Sequence, residues 1–533
     1  MKRIFKVGGL LVALGFVLTA FNLTPFVWSK NLDLFTTIVT KIDEVYVNEQ
    51  DMDLFIEEGL KNLVDDLDPY TYFIPKSEDS KLKEMRQGKY GGIGCYIWEY
   101  EEDKRVGLVL PNSPAARAGI KTGAYVLKVN GQDTQEMTEE DLYNELKGKP
   151  GSTLFINYAY KGDTSSTSII REVIEEKALG HYSLREDGIG YIAYTSFNEK
   201  SAKEVKRAIL EMRKDGMKGL VLDLRNNGGG LVREAVEICS FFLPKGSTIV
   251  TSKARNGESE TDRTSKNPIV PDLPLVVLIN ENSASASELV SGAMQDWDRA
   301  VIVGETSFGK GLVQQTHPIG HGSHLHLTVA KYLLPSGRCI QAVDFGETEK
   351  MAEEDRKDYT TNAGRPVKDG GGIDPDLEIE NSYWAESVYA MINTGRSLDI
   401  YAEIFQDNMP AEPGQWHMSV AQWEAVVEML SSDFEFETFE ERQLDRMLEN
   451  EEDLDYITAD DLQGWIDIIV ERKANFISRD SLDIVKYLER FATRRTYGEE
   501  GRFARYAWDD RRVDSSAAVL LNLERYNNYL QAP

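Results

Sequence analysis

Short, almost wholly apolar segments alternate with helical patterns through the middle of the chain. This alternation restricts the possible folds more than any other feature of the sequence. A helix is predicted between the first two segments, over Ala202 to Arg213. Short strands that are buried on both faces and alternate with helices form a largely parallel sheet flanked by helices. We therefore predict an α/β core. Its strand candidates are Gly190 to Ala193, Gly219 to Leu224, Leu275 to Ile279 and Ala300 to Val303.

The sequence on either side of this core has other patterns. Apolar residues recur at helical spacing before it and again after it, where Tyr401 to Asn450 contains 12 acidic and two basic residues. The polar stretch Lys253 to Asn267 within the core is predicted to be a surface loop. The predicted regions are a signal or membrane anchor (1–28), an N-terminal helical region (29–87), a small domain of short strands (88–174), the α/β core (175–380) and an acidic helical C-terminal domain (381–533).

Two local signals in the small domain are specific. Tyr125 to Val129 is a predicted strand that ends at Asn130-Gly131, the strongest two-residue hairpin signal. Thr138 is predicted to cap a helix with Asp141 at its third position. Both signals fix where elements begin and end.

The N-terminal segment resembles an export signal. Met1-Lys2-Arg3 and Lys6 precede an uncharged, apolar run from Val7 to Trp28, which is long enough to span a bilayer. We expect a periplasmic or otherwise extracytoplasmic protein, anchored to the inner membrane by an uncleaved segment. Export with signal cleavage is the alternative.

Charge and cysteine content exclude several classes of function. The net charge of −29 argues against a nucleic-acid-binding protein, because phosphate contacts need clustered Lys and Arg. Cys95, Cys239 and Cys339 are widely spaced and form no metal-binding or redox motif. We interpret them as small buried side chains.

A serine-rich helix start follows the apolar strand that ends near Ile279. The sequence there is Ser283-Ala284-Ser285-Ala286-Ser287-Glu288. Free backbone N–H groups in the first turn of a helix can hold a developing oxyanion, and the helix dipole favours negative charge there. The small neighbours would let a substrate backbone approach. A serine of this run is therefore a candidate nucleophile.

A serine nucleophile needs a general base. None of the six histidines lies in a recognisable triad motif, but a lysine can replace histidine where burial lowers its pKa. Lys310 follows the apolar strand Val301-Ile302-Val303 and lies between two glycines, which would let the backbone pack tightly around it. Gln314, four residues later, could accept a hydrogen bond from this lysine and orient it.

Plainer interpretations of these residues remain open on local grounds. Serines at helix starts usually only cap the helix, and a lysine between glycines is usually solvated. The segment from Gly304 to Lys310 also fits the phosphate-binding loop up to its last position. That position requires Ser or Thr as a magnesium ligand and here is Gly311, so we reject nucleotide binding.

A longer motif extends these residues. Ser283-Ala-Ser-Ala-Ser-Glu288 is followed by Gln295-Asp296, Arg299-Ala300-Val301, Gly304-Glu305 and Phe308-Gly309-Lys310-Gly311-x-x-Gln314. Without a gap, this pattern resembles the carboxy-terminal processing (tail-specific) proteases, PDZ-containing Ser/Lys peptidases of family S41. Three further stretches resemble family signatures over about residues 30–380. They are Asp68 to Phe73 with Tyr70 where His is common, Leu222 to Gly230 with Gly228 where Pro is usual, and Gly371 to Asp376.

The resemblance implies a role for each matching residue. Ser285 would be the nucleophile, Lys310 the general base and Gln314 its orienter. The backbone N–H groups of Gly229 and Ala286 would form the oxyanion hole, and Asp296 is a possible supporting acid. The implied fold is multidomain α+β, with a PDZ domain before an α/β (ClpP/crotonase-like) serine protease core and helical N- and C-terminal regions.

The resemblance also implies the substrate class. Gly92, Ile93, Gly94 and Cys95 would form the carboxylate-binding loop of the PDZ domain, and a peptide would add as a strand beside Cys95 to Trp98. We expect a serine endopeptidase that cleaves proteins near or from their exposed C-termini. The alternative is a catalytically silent PDZ peptide-binding scaffold.

Other partners are less specified by the sequence. A homo-oligomer and an adaptor role for the acidic C-terminal domain stay open, and no cofactor is predicted. His324 and His326 would share one face of a strand, as two metal ligands can. The resemblance makes this an ordinary strand of the protease core, so no metal site is predicted.

Overall fold

The computed structural model describes residues 28–78, 84, 87–100, 102–343, 350–381, 383–413, 415–450 and 456–532. Two compact units are present. One contains the described residues up to Ser77 together with Thr316–Leu327, and the other contains those from Glu78 to Gln315 and from Thr328 onward. The predicted anchor over 1–28 lies outside the described residues except for its last position. Within the described ranges, no helix has the length and apolar character needed to cross a membrane.

The smaller unit is mainly helical, as predicted for this region. Its N-terminal elements are α1 (28–45), α2 (Met52–Asp65) and β1 (Tyr72–Ile74). β1 pairs antiparallel with residues 324–326, so that Tyr72 lies opposite His326 with ring centroids 4.8 Å apart. The histidine-bearing segment is thus an ordinary strand, in line with its interpretation from the sequence.

A small antiparallel sheet follows in the larger unit. Its elements are β2 (Lys89–Gly92), β3 (Cys95–Tyr100), β4 (Asp103–Val109), α3 (Pro114–Arg117), β5 (Tyr125–Val129), β6 (Gln132–Asp133), α4 (Glu139–Leu146), β7 (Thr153–Tyr160), β8 (Asp163–Ile170) and β9 (Glu172–Glu175). The strand order is β3-β4-β5-β7-β8, β6 pairs with β5, and β2 pairs with β9. β3 therefore forms one edge of the described sheet.

The two local predictions in this domain are confirmed. Val129 pairs with Gln132 across the turn, in which Asn130 and Gly131 have φ values of 50° and 87°. A turn of this type needs positive φ at both central positions. The Thr138 hydroxyl accepts the Asp141 N–H at 3.1 Å and caps α4.

The α/β region follows in chain order. Its elements are β10 (Leu179–Leu184), β11 (Ile189–Tyr194), α5 (Ser201–Lys214), β12 (Gly219–Asp223), α6 (Val232–Cys239), β13 (Thr248–Ala254), β14 (Ser259–Arg263), β15 (Leu275–Ile279), α7 (Ala286–Asp296), β16 (Val301–Gly304), β17 (Leu312–Gly320), β18 (Ser323–Leu333), β19 (Asp358–Thr360), β20 (Pro366–Lys368) and β21 (Leu377–Glu378). The central sheet has the order β10-β11-β12-β15-β16-β21. Only β10 runs antiparallel to its neighbour, so the prediction of a largely parallel sheet is confirmed.

The polar stretch Lys253 to Asn267 was predicted to be a loop, and that prediction is wrong. β13 and β14 form an antiparallel hairpin there, and β13 pairs with β18 over residues 330–333. The β14 side chains are mostly exposed. An edge strand with solvent on its side chains needs no apolar alternation, so the sequence pattern carried no strand signal.

Helices make up the C-terminal region. They are α8 (Glu386–Asn393), α9 (Arg396–Ile400), a π-helical turn (Tyr401–Phe405), α10 (Val420–Asp433), α11 (Phe439–Glu449), α12 (Ala459–Lys473), α13 (Phe476–Arg479), α14 (Ser481–Tyr506), α15 (Arg511–Leu521) and α16 (Leu523–Tyr529). Part of this region has its own apolar core, which includes Val388, Phe405, Val426 and Leu488.

The two faces of the central sheet are covered by different parts of the chain. Helices α5, α6 and α7 cover one face. The other face packs against α15 and α16, with buried Val513 and Leu520 in the same cluster as Tyr191 and Val276 of the strands. The Tyr526 hydroxyl of α16 also accepts the Leu275 N–H at 3.1 Å. The last helices therefore complete the core of the central sheet as well as the C-terminal region.

A buried ion pair fixes the C-terminal end of α7. An Asp296 oxygen lies 2.9 Å from an Arg338 nitrogen, and the two side chains are 0% and 1% exposed. The second Asp296 oxygen accepts the Ser336 N–H at 2.9 Å. Removing one partner of such a pair leaves an uncompensated charge in the interior.

We expect Asp296→Asn to lower the free energy of unfolding by about 3 kcal/mol, because Arg338 would lose its counterion. Urea denaturation measures this change. The control is Glu237→Gln, which removes the partner of surface Lys266 and should cost less than about 1 kcal/mol. Equal losses in the two variants would contradict the prediction.

Candidate active site

Ser285 precedes the first residue of α7, and its backbone is strained. Its φ is 55° and its ψ is −112°. Positive φ is uncommon outside glycine, and strain of this kind clusters at functional sites. Ser285 is half-buried, whereas Ala284 and Ala286 on either side are buried. The predicted nucleophile is thus the solvent-accessible residue of its segment.

Glu288, in the first turn of α7, is fully buried and accepts four hydrogen bonds. Its Oε2 accepts the backbone N–H groups of Ser285 and Lys310 at 2.8 and 2.9 Å. Its Oε1 accepts the Ser307 hydroxyl and the Gly309 N–H at 2.6 and 2.7 Å. Burial raises the pKa of this carboxyl group, and the four donors oppose that shift. The predicted nucleophile and base are therefore tied through their backbones to one carboxylate oxygen.

The role of Glu288 was missed from the sequence, although a signal for it exists. Ser285-x-x-Glu288 has capping-box spacing, in which the glutamate reaches back to the N–H of the residue before the helix. The Ser285 N–H bond is that contact. The remaining three bonds come from a segment about 20 residues further on, which local spacing does not reveal.

The glycines around Lys310 allow close packing, as predicted. A Cβ atom on Gly311 would lie 2.7 Å from the Gln341 nitrogen, and one on Gly309 would lie 2.4 Å from the Ala342 Cβ. The Gly311 N–H also donates to the Gln341 side chain at 2.8 Å. Lys310 is half-buried in this tightly packed segment.

Gln314 lies on β17, four residues after Lys310. Its side-chain nitrogen donates to the Thr328 hydroxyl at 3.2 Å, on the neighbouring strand β18. This bond fixes the amide group of Gln314. Its role as the orienter of Lys310 stays a prediction.

Gly229 lies against the nucleophile segment. A Cβ atom there would be 2.8 Å from the Ala284 oxygen and 2.9 Å from the Ala286 nitrogen, so only glycine fits. The two predicted oxyanion donors, on Gly229 and Ala286, are thus brought together. The Gly229 N–H donates to the Asn227 side chain at 2.9 Å, and the Asn227 carbonyl accepts the Ala284 N–H at 3.1 Å. The glycine-rich loop and the nucleophile segment are therefore bonded directly.

An ion-pair triad holds the start of the glycine-rich loop. The Arg225 guanidinium group lies 2.7 Å from Asp223 and 3.1 Å from Asp510, which caps α15. Burial opposes the charged forms of both groups, but the two carboxylates raise the pKa of Arg225 and its guanidinium group lowers the pKa of Asp510. The contact with Asp510 could not be predicted from the sequence, because 285 residues separate it from Arg225.

Asp296 lies apart from this group. It occupies the last position of α7, ten residues beyond Ala286 or about 15 Å along a helix axis. Its partners are Arg338 and Ser336. Any support that it gives to Ser285 passes through the packing of α7.

The predicted carboxylate-binding loop connects β2 to β3. Ile93 is buried, Gly94 has a φ of 69°, and the Ile93 and Gly94 carbonyls accept the Ala115 and Leu110 N–H groups at 2.9 Å. Burial raises the pKa of the Cys95 thiol to about 12. Cys95 and buried Cys239 are free thiols.

Two family models match the chain where the fold predicts them. Peptidase family S41 matches residues 188–351, which include Ser285, Glu288 and Lys310. A PDZ domain matches residues 105–157, within the small antiparallel sheet. The larger match thus covers most of the α/β region.

Known proteins of this kind are similar over more of the chain. The carboxy-terminal-processing protease of Bartonella bacilliformis is 31% identical over 375 residues, which are 68% of this chain and 86% of that protein. A probable CtpA-like serine protease of Staphylococcus aureus is 32% identical over 58% of this chain and 63% of its own length. Among solved structures, the photosystem II D1 C-terminal processing protease is 25% identical over 68% of this chain and 96% of that one, with a TM-score of 0.38. This chain therefore belongs to peptidase family S41, with the PDZ-containing carboxy-terminal-processing proteases, and is a serine-type peptidase.

Proposed function

We propose that this protein is an endopeptidase that cleaves proteins near or from their C-termini, with Ser285 as nucleophile and Lys310 as general base. The observation that carries the proposal is the Glu288 oxygen shared by the backbones of Ser285 and Lys310. A shared acceptor keeps two catalytic segments at fixed separation, and such positioning contributes strongly to catalysis.

Acylation begins with a neutral Lys310 amine. The amine takes the proton of the Ser285 hydroxyl, and the serine oxygen forms a bond to the scissile carbonyl carbon. Lys310 then gives this proton to the leaving amine as the peptide C–N bond breaks. Gln314, held by Thr328, would orient the lysine for both transfers.

The oxyanion of the tetrahedral intermediate needs donors beside Ser285. We assign the N–H groups of Gly229 and Ala286 to this task, since both lie next to the nucleophile. The Gly229 N–H bonds to Asn227 in the free protein, so substrate must compete with that side chain. This exchange would tie formation of the oxyanion hole to substrate entry.

Deacylation repeats the same transfers with water. Lys310 takes a proton from water, and the resulting hydroxide attacks the acyl carbon. The ester bond to Ser285 then breaks, the serine oxygen regains the proton from Lys310, and the product leaves as a carboxylic acid that releases its remaining proton to water. No further group is required for the proton balance.

The PDZ domain is proposed to capture the C-terminus of the substrate. The loop Gly92 to Cys95 would offer successive N–H groups to the terminal carboxylate. The peptide would then add as a strand to β3, which is an edge strand in the described sheet. Main-chain bonding of this kind suits substrates of varied sequence.

An extracytoplasmic location is also proposed. Its support is the basic start followed by an apolar run up to Trp28. The test is digestion of intact and lysed cells with an external protease, which should reach the protein after the outer membrane is opened. Protection until the inner membrane is broken would contradict it.

We expect Lys310→Ala to lower kcat by about 10³-fold, because the general base is lost. Labelling of Ser285 by a serine-directed phosphonate should fall with it. Lys203→Ala, on the exposed side of α5, is the matched control and should leave both unchanged. Cleavage by Lys310→Ala at the normal rate would overturn the assignment.

We expect Glu288→Gln to lower kcat by about 10²-fold with a small change in KM, because an amide nitrogen cannot accept from the same donors. In the unchanged protein, burial raises the pKa of Glu288, and only the ionised carboxylate accepts all four bonds. As the pH decreases, activity should therefore begin to fall at a higher pH than it would if Glu288 had the pKa of an ordinary glutamate.

The control for this variant is Glu281→Gln, an exposed carboxylate four residues before Ser285. It should leave kcat and the acidic limb of the pH profile in place. A Glu288→Gln protein with normal kcat would show that the four-bond carboxylate is dispensable.

We expect a peptide with a free C-terminal carboxylate to bind the Ser285→Ala protein and its C-terminal amide to bind at least about tenfold more weakly. Gly94→Ala should weaken binding of the peptide acid to a similar extent, because a Cβ atom at this position would lie 2.4 Å from the Cβ atom of Ser113. Gly162→Ala, also at positive φ but in open space, is the control. Calorimetric titration measures all four affinities, and equal binding of acid and amide would contradict capture by the loop.

A further inference from the structure

A cavity of about 880 Å³ lies in the larger unit, and its lining includes neither Ser285 nor the predicted carboxylate-binding loop. The lining includes residues of α14, Tyr100 of β3, and Asp223, Arg225 and Asn226 at the start of the glycine-rich loop. Ligand sites commonly have volumes of about 300 to 1,000 Å³. Its size is therefore that of a small-molecule site.

Basic side chains of α14 are concentrated on this cavity. Lys486, Arg490 and Arg494 lie at intervals of four residues and so form one row on the helix, and Arg495 and Arg502 join them. Like charges at this spacing repel one another. In all, eight basic and seven acidic side chains line the cavity, and five of the basic ones lie on α14, where Asp483 is the one acidic residue of the lining.

Among the described residues, the five α14 cations that line the cavity make few ion pairs. Arg490 lies 3.7 Å from Asp509, while Arg494 and Arg502 both pair with Glu499, at 2.7 and 2.5 Å. No ion pair joins Lys486 or Arg495 to a described acidic residue. The positive charge of α14 is therefore only partly balanced by ion pairs.

Arg495 is the most unusual of the five. It is 7% exposed, and its guanidinium group lies between the rings of Trp98 and Phe491, 4.6 and 4.3 Å from their centroids. Its Nε and Nη1 atoms have no hydrogen-bond partner among the described residues. Burial lowers the pKa of Arg495 to about 10, and Arg494 adds to that effect. Ring stacking offsets only part of the cost of a buried cation without a counterion.

We propose that this cavity binds a small, multiply charged oxyanion whose phosphate or carboxylate groups meet Arg495 and the row Lys486, Arg490 and Arg494. A guanidinium group matches both kinds of oxyanion with two parallel hydrogen bonds. The bound anion would supply the hydrogen bonds that Arg495 lacks and relieve repulsion along α14. This site does not depend on the assignment of Ser285 and Lys310.

Calorimetric titration of the full chain with pyrophosphate and, separately, with citrate tests the proposal, against sodium chloride of equal ionic strength. We expect saturable binding of at least one anion at submillimolar concentration. Arg495→Gln should weaken it by about tenfold or more. Because Arg495 is buried, the double change of exposed Lys486→Gln and half-buried Arg494→Gln provides a second variant with the same expected loss.

The control removes two cations elsewhere, with Lys203→Gln and Lys214→Gln on the exposed side of α5. Binding of pyrophosphate alone would support a phosphate ligand, and binding of citrate alone would support a carboxylate ligand. If neither anion binds beyond the chloride control, the proposal is overturned. An equal loss in the α5 control would overturn it too, because the effect would then be one of net charge. Should Arg495→Gln fail to fold, the Lys486 and Arg494 variant decides.

Discussion

The buried carboxylate of Glu288 is the contact on which the arrangement of the active site depends. It accepts four donors from two segments of the chain, which are also joined by the bond from the Phe308 N–H to the Ser283 carbonyl at 3.1 Å. An ionised carboxylate can accept that many bonds, whereas an amide or hydroxyl group cannot. The N-terminal end of α7 further stabilises its charge. The strained Ser285 backbone and the Lys310 segment are thus held by one group, and neither is positioned independently of the other.

Features set by neighbouring residues could be predicted from the sequence. The Asn130-Gly131 turn and the Thr138 cap follow from backbone preferences over a few positions, and the parallel sheet follows from its apolar strands. β8 was not predicted, because Asp163 to Ile170 is rich in Ser and Thr and its side chains are mostly exposed. Strands that bury little surface carry little pattern. The family motif then located Ser285 and Lys310, which local chemistry alone had left open.

Contacts between distant parts of the chain could not be predicted. Nothing near Arg225 indicates that its second counterion is Asp510, in a region beyond the family resemblance. The bond from the Gly229 N–H to the Asn227 side chain likewise depends on the conformation of the glycine-rich loop. The identities of the two residues do not reveal whether this N–H is already bonded or is available to an oxyanion. The predicted roles of Gln314 and of the carboxylate-binding loop depend on contacts with a bound substrate, which is a second molecule. The sequence therefore predicts candidate reacting groups more readily than the groups that hold them.

The packing of α15 and α16 on the second face of the central sheet has a consequence for how the enzyme is made. A ribosome delivers the strands of this sheet long before residues 511–529, and a parallel sheet with one bare apolar face is not a stable core. Arg225 also lacks its second counterion until Asp510 is synthesised. During synthesis, Ser285 and Lys310 should therefore be present in the chain well before the core that positions them is complete. Late completion of the core would keep the peptidase inactive during its own synthesis, when unfolded protein is nearby.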